Sequence, residues 1–325
     1  MSNYTPQQPL GSGFGARSTA AEVVAGIDLN GINAIVTGGY SGLGLEVTRA
    51  LVGAGASVTV PARRPEHARS VLADAGLETV EVDELDLADL ASVEAFATRY
   101  LDSGRPLGIL INNAAVIAAP LELVGDGWES QFATNHLGHF ALTNRLWPAL
   151  VAANGARVVE LSSTGHKLSG IRFDDLAFSE GYDKWKAYGQ AKTANSLFAI
   201  ELDELGRDQG VRAFAVNPGG IITRLQRHLP REEMIASGWM TEDGTVNERF
   251  KSTEQGAATT VWAATSPQLD GLGGVYCEDC DIALPTAVGT PEARVSGVDE
   301  HAIDRADAAR LWTLSAELTG VNAFA

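Results

Sequence analysis

The sequence is poor in cysteine and has no long apolar runs. Two cysteines in 325 residues provide no disulfide framework, which is typical of proteins from a reducing compartment. The longest apolar stretches, such as residues 114–119, are far shorter than the ~20 residues that cross a bilayer. The opening residues contain no apolar core behind a basic start, so no export signal is predicted. We therefore expect a cytoplasmic protein without a membrane partner.

Basic side chains are also scarce. Lys and Arg number 24 against 41 Asp and Glu, so the formal net charge is −17. Most surfaces of such a protein would repel a phosphate backbone, which argues against a nucleic-acid partner. With 45% hydrophobic and 20% charged residues, the composition is that of a globular protein able to bury a large core.

Composition divides the chain into a short arm and one large domain. Residues 1–17 are rich in Gly, Pro, Gln and Ser, and bury too little apolar area to offset the entropy of ordering. Thr19 and Glu22 have the spacing of a capping box, which predicts a short helix that ends near residue 25. We predict a mobile N-terminal arm with this helix over residues 1–27, and a single domain over residues 28–325.

Short apolar runs alternate with longer helical stretches from residue 32 onward, a rhythm typical of βαβ units. This pattern predicts a doubly wound Rossmann fold of the α/β class, with one parallel seven-stranded sheet and helices on both faces. The predicted strands are residues 34–37, 57–60, 79–82, 107–112, 156–162, 211–217 and 274–277. The predicted helices are residues 43–53, 66–75, 87–101, 128–152, 184–207, 253–265 and 304–318.

A glycine-rich loop, residues 37–44, follows the first predicted strand and opens the first helix. Glycines there allow a tight turn and a close approach of the backbone to a pyrophosphate. Glycine patterns also occur in ordinary turns, but this position between strand and helix favours a dinucleotide. The residues predicted to contact the cofactor here are Gly38, Tyr40, Ser41, Gly42, Leu43 and Gly44.

The end of the second predicted strand indicates which dinucleotide fits. A carboxylate at this position bonds a ribose 2′-hydroxyl, whereas arginine accommodates a 2′-phosphate. The strand ends without an acid and is followed by Arg63 and Arg64, which offer paired donors. We therefore favour NADP(H), with NAD(H) as the alternative if both arginines are solvated surface charges.

Two further segments follow strand ends on the same predicted sheet edge. Asp86 and Leu87 are placed to bond the adenine amino group and to cover its ring, although Asp86 also suits a helix N-cap. Residues 112–115 end the fourth strand, where a ligand in the crevice must lie. Asn113, Ala114 and Ala115 are therefore predicted to border the cofactor.

Tyr188 and Lys192 are four residues apart on a strongly helical segment, so both side chains share one helix face. A nearby cation stabilises a phenolate and makes a tyrosine usable in proton transfer, although such pairs also occur on solvated helix faces. Ser163 ends the fifth strand at the same rim, where it either bonds a substrate oxygen or caps the next turn. Asn135 is a poor helix former inside a predicted helix, which indicates a buried polar role.

Together these residues resemble the short-chain dehydrogenase/reductase family over about residues 29–320. The motifs that carry the resemblance are the glycine loop, residues 112–115, Asn135, Ser163, Tyr188-x-x-x-Lys192, residues 217–219 and Thr223. The resemblance implies a catalytic tetrad, in which Tyr188 exchanges the proton and Ser163 positions the carbonyl or alcohol oxygen. Lys192 would lower the pKa of Tyr188 and hold the nicotinamide ribose, and Asn135 would stabilise a water-linked proton relay.

The resemblance also implies that residues after the sixth strand lie along the nicotinamide and the pyrophosphate. They are Pro218, Gly219 and Thr223, with Ile221 or Ile222 near the carboxamide. Finer motifs are similar to the retinol dehydrogenase and WW-domain oxidoreductase branch, namely residues 135–140, Ser163-x-x-His166, residues 276–280 and residues 310–318. Substrates in that branch are often lipophilic alcohols and carbonyls. Ala191 departs from the family pattern, which often has serine before the lysine, and neither an anchor nor WW modules are recognised.

Other chemistry is less well supported. His136, His139 and His166 lack an acidic cluster, so we expect core histidines and no metal site. Cys277 and Cys280 form half of a zinc motif and are interpreted as ordinary buried thiols. A serine hydrolase is disfavoured because the chain has no G-x-S-x-G elbow.

The sequence thus predicts an NADP(H)-dependent oxidoreductase that interconverts an alcohol and a ketone or aldehyde, acting on a small lipophilic molecule. An insertion over about residues 223–250 is predicted to cover the substrate. The alternative is a non-catalytic NAD(P)-binding sensor or scaffold protein that uses this insertion to contact a partner. A homodimer or homotetramer is expected, because residues 128–152 and 184–207 resemble the helices that pair subunits in this family.

Overall fold

The computed structural model describes residues 4–325, apart from the side chains of His228 and Pro291. The strands of this part are β1 Asn33–Val36, β2 Ser57–Ala62, β3 Glu81–Glu84, β4 Ile109–Asn112, β5 Leu123–Val124, β6 Trp128–Glu129, β7 Arg157–Leu161, β8 Arg212–Asn217, β9 Val275–Glu278 and β10 Asp281–Ile282. The main sheet has the order β10-β9-β8-β7-β4-β1-β2-β3. Its seven strands from β9 to β3 are parallel, which confirms the predicted sheet, and the short β10 adds an antiparallel edge that was not predicted.

Helices cover both faces of the sheet, as a doubly wound fold requires. They are α1 Ala20–Val24, α2 Gly42–Gly53, α3 Pro65–Asp74, α4 Leu90–Asp102, α5 Ser130–Phe132, α6 Gly138–Arg145, α7 Trp147–Ala152, α8 Lys184–Gly206, α9 Arg231–Ala236, α10 Thr253–Thr265 and α11 Arg305–Thr319. One apolar core lies on each face of the sheet, and successive strand residues point into opposite cores. Val36 of β1 packs with α2 and α10 on one face, and Ile35 packs with α4 and α6 on the other. Among residues 4–325, no helix combines the length and apolarity that crossing a bilayer demands.

The predicted helix over residues 128–152 is wrong as a single element. The segment begins as β6, which pairs with β5, and continues through α5, a π-helical turn over Ala133–Leu137, α6 and α7. Pro148 at the start of α7 separates that helix from α6, because proline lacks an N–H and clashes with the preceding turn. The π turn contains Asn135, whose side chain bonds the backbone of a neighbouring loop.

The N-terminal arm lies along the β9–β10 edge in the described part, which differs from the mobile arm expected from composition. The Gln7 side chain donates to the carbonyl oxygens of Tyr276 and Ala283 at 2.7 Å each, so it completes the hydrogen bonding of this edge. The Asp281 carboxylate accepts three backbone N–H groups from residues 10–12. These bonds supply the ordering energy that the apolar content of the arm lacks. Residues 1–3 of the predicted arm lie outside the described residues.

Candidate active site

The glycine loop is tied to the end of β4 by a hydrogen-bonded threonine. Thr37 Oγ1 accepts hydrogen bonds from the backbone nitrogens of Asn113 (2.9 Å) and Ala114 (3.0 Å), and Asn113 Nδ2 donates to the Thr37 carbonyl (2.7 Å). Gly44 packs so closely here that a Cβ would lie 2.6 Å from Asn113 Nδ2, and closer still to the Gly38 carbonyl oxygen. Glycine is therefore required at position 44, and the N-terminus of α2 borders a cleft with its free backbone N–H groups.

This cleft, with a volume of about 430 Å³, opens at the carboxyl ends of the central strands, where ligands bind in open α/β sheets. The predicted cofactor residues that line it are Gly38, Tyr40, Ser41, Gly42, Leu43, Gly44, Arg63, Arg64, Asp86, Leu87, Asn113, Ala114, Ala115, Tyr188, Lys192, Pro218 and Thr223. Gly219 and Ile221 lie outside this lining. A Cβ at Gly219 would meet Lys251, and the Ile221 side chain packs toward Gly256 of α10.

Four exposed arginines border the cleft in a strongly acidic protein. Arg63 and Arg64 follow β2, whereas Arg224 and Arg227 lie in the 3-10 turn that begins the insertion. In the described part of the chain, none of these four side chains has a hydrogen bond, an ion pair or a ring contact. A cleft that gathers unneutralised guanidinium groups fits an anionic ligand.

Some lining residues carry no sequence motif. Val116 extends the loop after β4, His67 lies on α3, and Arg224 and Arg227 belong to the insertion. No spacing rule identifies Arg224 and Arg227 as cleft residues. The only sequence feature that marks them is the clustering of arginine, a scarce residue in this chain, at the start of the insertion.

Tyr188 and Lys192 lie in the first half of α8, whose N-terminus is capped by Asp183. Both side chains are buried, and Lys192 Nζ lies 5.7 Å from the centre of the Tyr188 ring. Lys192 Nζ also donates a 2.6 Å hydrogen bond to the Leu161 carbonyl at the end of β7. Ser163 follows two residues later, and its hydroxyl lies close enough to the Tyr188 hydroxyl to favour the phenolate. The structure therefore brings these three predicted residues together.

Burial perturbs the proton affinity of both titratable groups. It raises the pKa of Tyr188 to about 12, and the neighbouring Ser163 hydroxyl opposes this increase. It lowers the pKa of Lys192 to about 8, and the carboxylate of Glu160 opposes this decrease. At neutral pH the phenol therefore carries its proton, and the ammonium is mostly charged. A neutral phenol beside a fixed cation is suited to give up and regain a proton.

Asn135, like Ser163, is absent from the lining of the cleft. Its Oδ1 accepts from the Val116 nitrogen (2.8 Å) and its Nδ2 donates to the Val116 carbonyl (2.9 Å). The fully buried side chain thus braces the loop that follows β4 and does not line the cleft. Asp86 lines the cleft and accepts from the Ala88 nitrogen (3.0 Å), whereas Asp89 is the N-cap of α4.

The histidines and cysteines with a ligand-like spacing are buried and either hydrogen bonded or packed. His139 bonds Thr37 Oγ1 (2.9 Å), and burial lowers its pKa to about 4. His136 bonds Ser315 Oγ (2.8 Å), and burial lowers its pKa to about 3. Cys277 and Cys280 are buried, which raises the pKa of both thiols. Across residues 4–325, no group of three His, Cys, Asp or Glu side chains has a metal-binding arrangement.

An apolar cluster lies beside Tyr188 and joins the insertion to the active-site helix. Its buried members are Ile117, Ala118, Tyr188 and Leu229, and its half-buried members are Trp185, Leu225, Met234 and Trp239. The edge of the Trp185 ring approaches Trp239 at 5.9 Å between centroids, and Glu233 bonds both Lys184 Nζ (2.6 Å) and Trp185 Nε1 (2.8 Å). The insertion is thus fastened to the start of α8.

The fold and the cleft define a dinucleotide-binding α/β protein. The family model described as short chain dehydrogenase matches residues 33–234. A probable oxidoreductase of Streptomyces lividans is 45% identical over 298 residues, which cover 90% of this chain and 98% of that protein. Retinol dehydrogenase 12 of Mus musculus is 37% identical over 300 residues, covering 91% of this chain and 89% of that protein.

Among solved structures, the Pseudomonas aeruginosa RhlG/NADP active-site complex has a similar fold. The TM-score is 0.59 at 24% identity, over 77% of this chain and 95% of that one. The chain belongs to the short-chain dehydrogenase/reductase family. It is therefore an oxidoreductase of a family that binds NAD(P) and acts on small molecules, as the resemblance implied.

Proposed function

We propose that the protein is an NADP(H)-dependent oxidoreductase that interconverts an alcohol and a ketone or aldehyde. The observation that carries the proposal is the meeting of Ser163, Tyr188 and Lys192 beside a cleft bordered by Arg63 and Arg64. In the sheet, Arg63 and Arg64 follow β2, whereas Ser163 follows β7, and Tyr188 and Lys192 lie on α8, which comes after it. An extended dinucleotide would span the ends of β2 and β7.

The residues present fit such a cofactor. Gly44 leaves no room for a side chain, so the backbone at the start of α2 can approach a pyrophosphate. When bound, the cofactor supplies or accepts a hydride at its nicotinamide ring. Lys192 would hold the ribose, and Thr223, which lies 3.4 Å from the Cβ position of Gly42, would close over the phosphates.

The chemistry of the chain itself is proton transfer and orientation. In reduction, the Tyr188 hydroxyl donates its proton to the carbonyl oxygen, and Ser163 Oγ holds that oxygen by a hydrogen bond. Lys192 stabilises the resulting phenolate, which lies within reach of its positive charge. Asn135 supports the loop at Val116 and, through it, the water-linked relay that the family resemblance implies. Oxidation reverses each transfer.

The arginines support NADP(H), with NAD(H) as the alternative cofactor. A ribose 2′-phosphate carries about two negative charges that paired guanidinium donors would neutralise. The similar fold of a Pseudomonas protein that was solved with NADP is consistent with this preference.

The apolar cluster supports a lipophilic substrate. Trp185, Leu225 and Trp239 offer a wall that would cover an apolar group while Tyr188 contacts its polar oxygen. The similarity to a mouse protein named retinol dehydrogenase 12 agrees with a lipophilic alcohol or carbonyl.

Three broader features complete the proposal. Residues 28–325 form a single Rossmann-type domain whose insertion over about residues 223–250 covers the substrate. The protein assembles as a homodimer or homotetramer, which light scattering would test, and it functions in the cytoplasm. A monomeric mass would contradict the assembly.

The experiment is to follow reduced cofactor at the standard wavelength of about 340 nm with a panel of lipophilic ketones, aldehydes and alcohols. We expect turnover with NADPH, and an Arg63→Glu variant should lose about 10-fold to 100-fold in kcat/KM for NADPH while retaining activity with NADH. Arg294→Glu is the matched control, because Arg294 is exposed and does not line the cleft. Tight cofactor binding without turnover across the panel would instead favour a sensor protein.

A further inference from the structure

Beyond the cleft, one buried histidine connects the serine of the site to the C-terminal part of the chain. His166 lies in the 3-10 turn Thr164–Leu168 that follows Ser163, and its side chain is fully buried. Its Nδ1 lies 2.6 Å from the Ser163 carbonyl oxygen, and its Nε2 lies 3.1 Å from the Asp299 backbone nitrogen. The Tyr276 hydroxyl of β9 is 3.3 Å from Nδ1. The ring therefore bridges three segments that are distant in the sequence.

These contacts determine the tautomer of His166. The backbone N–H of Asp299 is a donor, so Nε2 must present its lone pair. In the neutral ring the proton is then on Nδ1, which donates it to the Ser163 carbonyl. Burial lowers the pKa of His166 to about 4, so the ring stays neutral at physiological pH. The charged groups around it are Lys167 and Asp299, which pair with each other at 2.9 Å, and His301 bonds the His166 carbonyl.

The bond to Ser163 matters because it leaves the serine little freedom. The Ser163 carbonyl accepts from His166 Nδ1 and also from the His166 backbone nitrogen (3.1 Å). Ser163 Oγ accepts from the Gly165 nitrogen (3.0 Å), which leaves its O–H hydrogen for Tyr188 or for a substrate oxygen. A Cβ at Gly165 would lie 2.6 Å from Tyr188 Cε1, so the same turn packs directly on the phenol ring.

We propose that His166 is a positioning residue, which through its Nδ1–H bond fixes Ser163 against Tyr188 and anchors the turn to the segment that contains Asp299. The inference rests on the proposed function, in which Ser163 holds the substrate oxygen. Both ring nitrogens are needed. An apolar side chain would remove the Nδ1–H donor from the Ser163 carbonyl and would leave the Asp299 N–H without an acceptor.

Two substitutions separate the two nitrogens. In His166→Asn the amide nitrogen takes the place of Nδ1, whereas in His166→Gln the amide group reaches the place of Nε2. We expect His166→Gln to lower kcat about 10-fold or more, with the cofactor Kd within about twofold of wild type. His166→Asn should retain kcat within about threefold. A His166→Gln variant that is folded and has wild-type kcat would overturn the proposal.

A double-mutant cycle with Ser163→Ala tests whether His166 acts through Ser163. In the Ser163→Ala background, His166→Gln should lower kcat by less than about twofold, and an undiminished further loss would show a merely structural role. If Ser163→Ala alone leaves kcat unchanged, the proposed function fails, and this inference fails with it. If the His166→Gln variant does not fold, nitrogen NMR on the wild-type protein still decides, since a proton on Nε2 contradicts the derived tautomer.

Discussion

The charge of Lys192 should lower the proton affinity of Tyr188 against the effect of burial, and the distance between the two groups gives the size of this effect. Lys192 Nζ lies 5.7 Å from the Tyr188 ring centre. Two unit charges at that separation attract by about 2.9 kcal/mol at an effective dielectric constant of about 20. This energy corresponds to about two pH units, or about 100-fold in rate at a fixed pH below the titration. A Lys192→Met variant retains the length and apolar stem of the side chain but lacks the charge.

The kcat of alcohol oxidation should rise with pH as Tyr188 loses its proton. We therefore expect Lys192→Met to shift this rising limb of the pH profile to higher pH by about two units, and to lower kcat near neutral pH about 100-fold. The assay is the pH dependence of kcat with saturating oxidised cofactor, whose Kd is measured separately because Lys192 is also proposed to hold the ribose. Lys186→Met is the matched control: Lys186 lies on the same helix, is exposed, and does not line the cleft. A folded Lys192→Met enzyme with the wild-type limb would refute this electrostatic reasoning.

Three further predictions concern the fold around the site. Gly44→Ala should abolish cofactor binding, because its Cβ would meet Asn113. Gly53→Ala is the control: position 53 has open space around it, so this substitution should change the free energy of unfolding by no more than about 1 kcal/mol. Equal cofactor Kd values in the two variants would contradict this prediction. Burial raises the pKa of Glu160 to about 8, so the folded protein binds more protons than the unfolded chain between the ordinary glutamate pKa and that value, and stability falls as pH rises through this window. The Tm of Glu160→Gln relative to wild type should therefore rise between about pH 5 and about pH 8, and a constant difference across this range would disprove this. Asp281→Ala removes the acceptor for three N–H groups of the arm. It should lower the free energy of unfolding by about 1–2 kcal/mol and expose residues 4–17 to proteolysis, while the cofactor Kd stays unchanged. Unchanged proteolysis would contradict the anchoring of the arm by Asp281.

The sequence was sufficient for the sheet and for much of the cleft because each rests on a local rule. Parallel strands buried on both faces need continuous apolar runs, and each of the seven predicted runs overlaps a strand of the sheet. The edge strand β3 departs from this rule: it lies two residues later than predicted and is exposed or half-buried. Gly44 has a local steric reason, and Tyr188 and Lys192 share a helix face by spacing alone.

Features that depend on distant contacts could not be predicted in this way. Gln7 completes the sheet edge at Tyr276, a partner that no composition rule identifies. Asn135 was assigned a buried polar role, but its partner Val116 and the π turn that presents it come from tertiary packing. Arg224 lines the cleft because the preceding Thr223 lies against Gly42 at the start of α2, a contact that the sequence pattern does not determine.

The break between α6 and α7 has a local cause that the helical pattern concealed. Residues 128–152 are apolar enough to suggest one helix, yet Pro148 interrupts it, and residues 128–129 pair with β5. The hydrophobic pattern is therefore a better guide to which residues are buried than to where the helix between them is interrupted.

The proton-donor role of Tyr188 is tested most directly by a single-turnover measurement. NADPH-loaded wild-type protein and the Tyr188→Phe variant are mixed with a carbonyl substrate, and the decay of reduced cofactor is followed in one turnover. The account predicts that the variant binds NADPH as tightly as wild type but transfers hydride about 100-fold or more slowly, since the carbonyl oxygen no longer receives its proton. Equal single-turnover rates in the two proteins would contradict it.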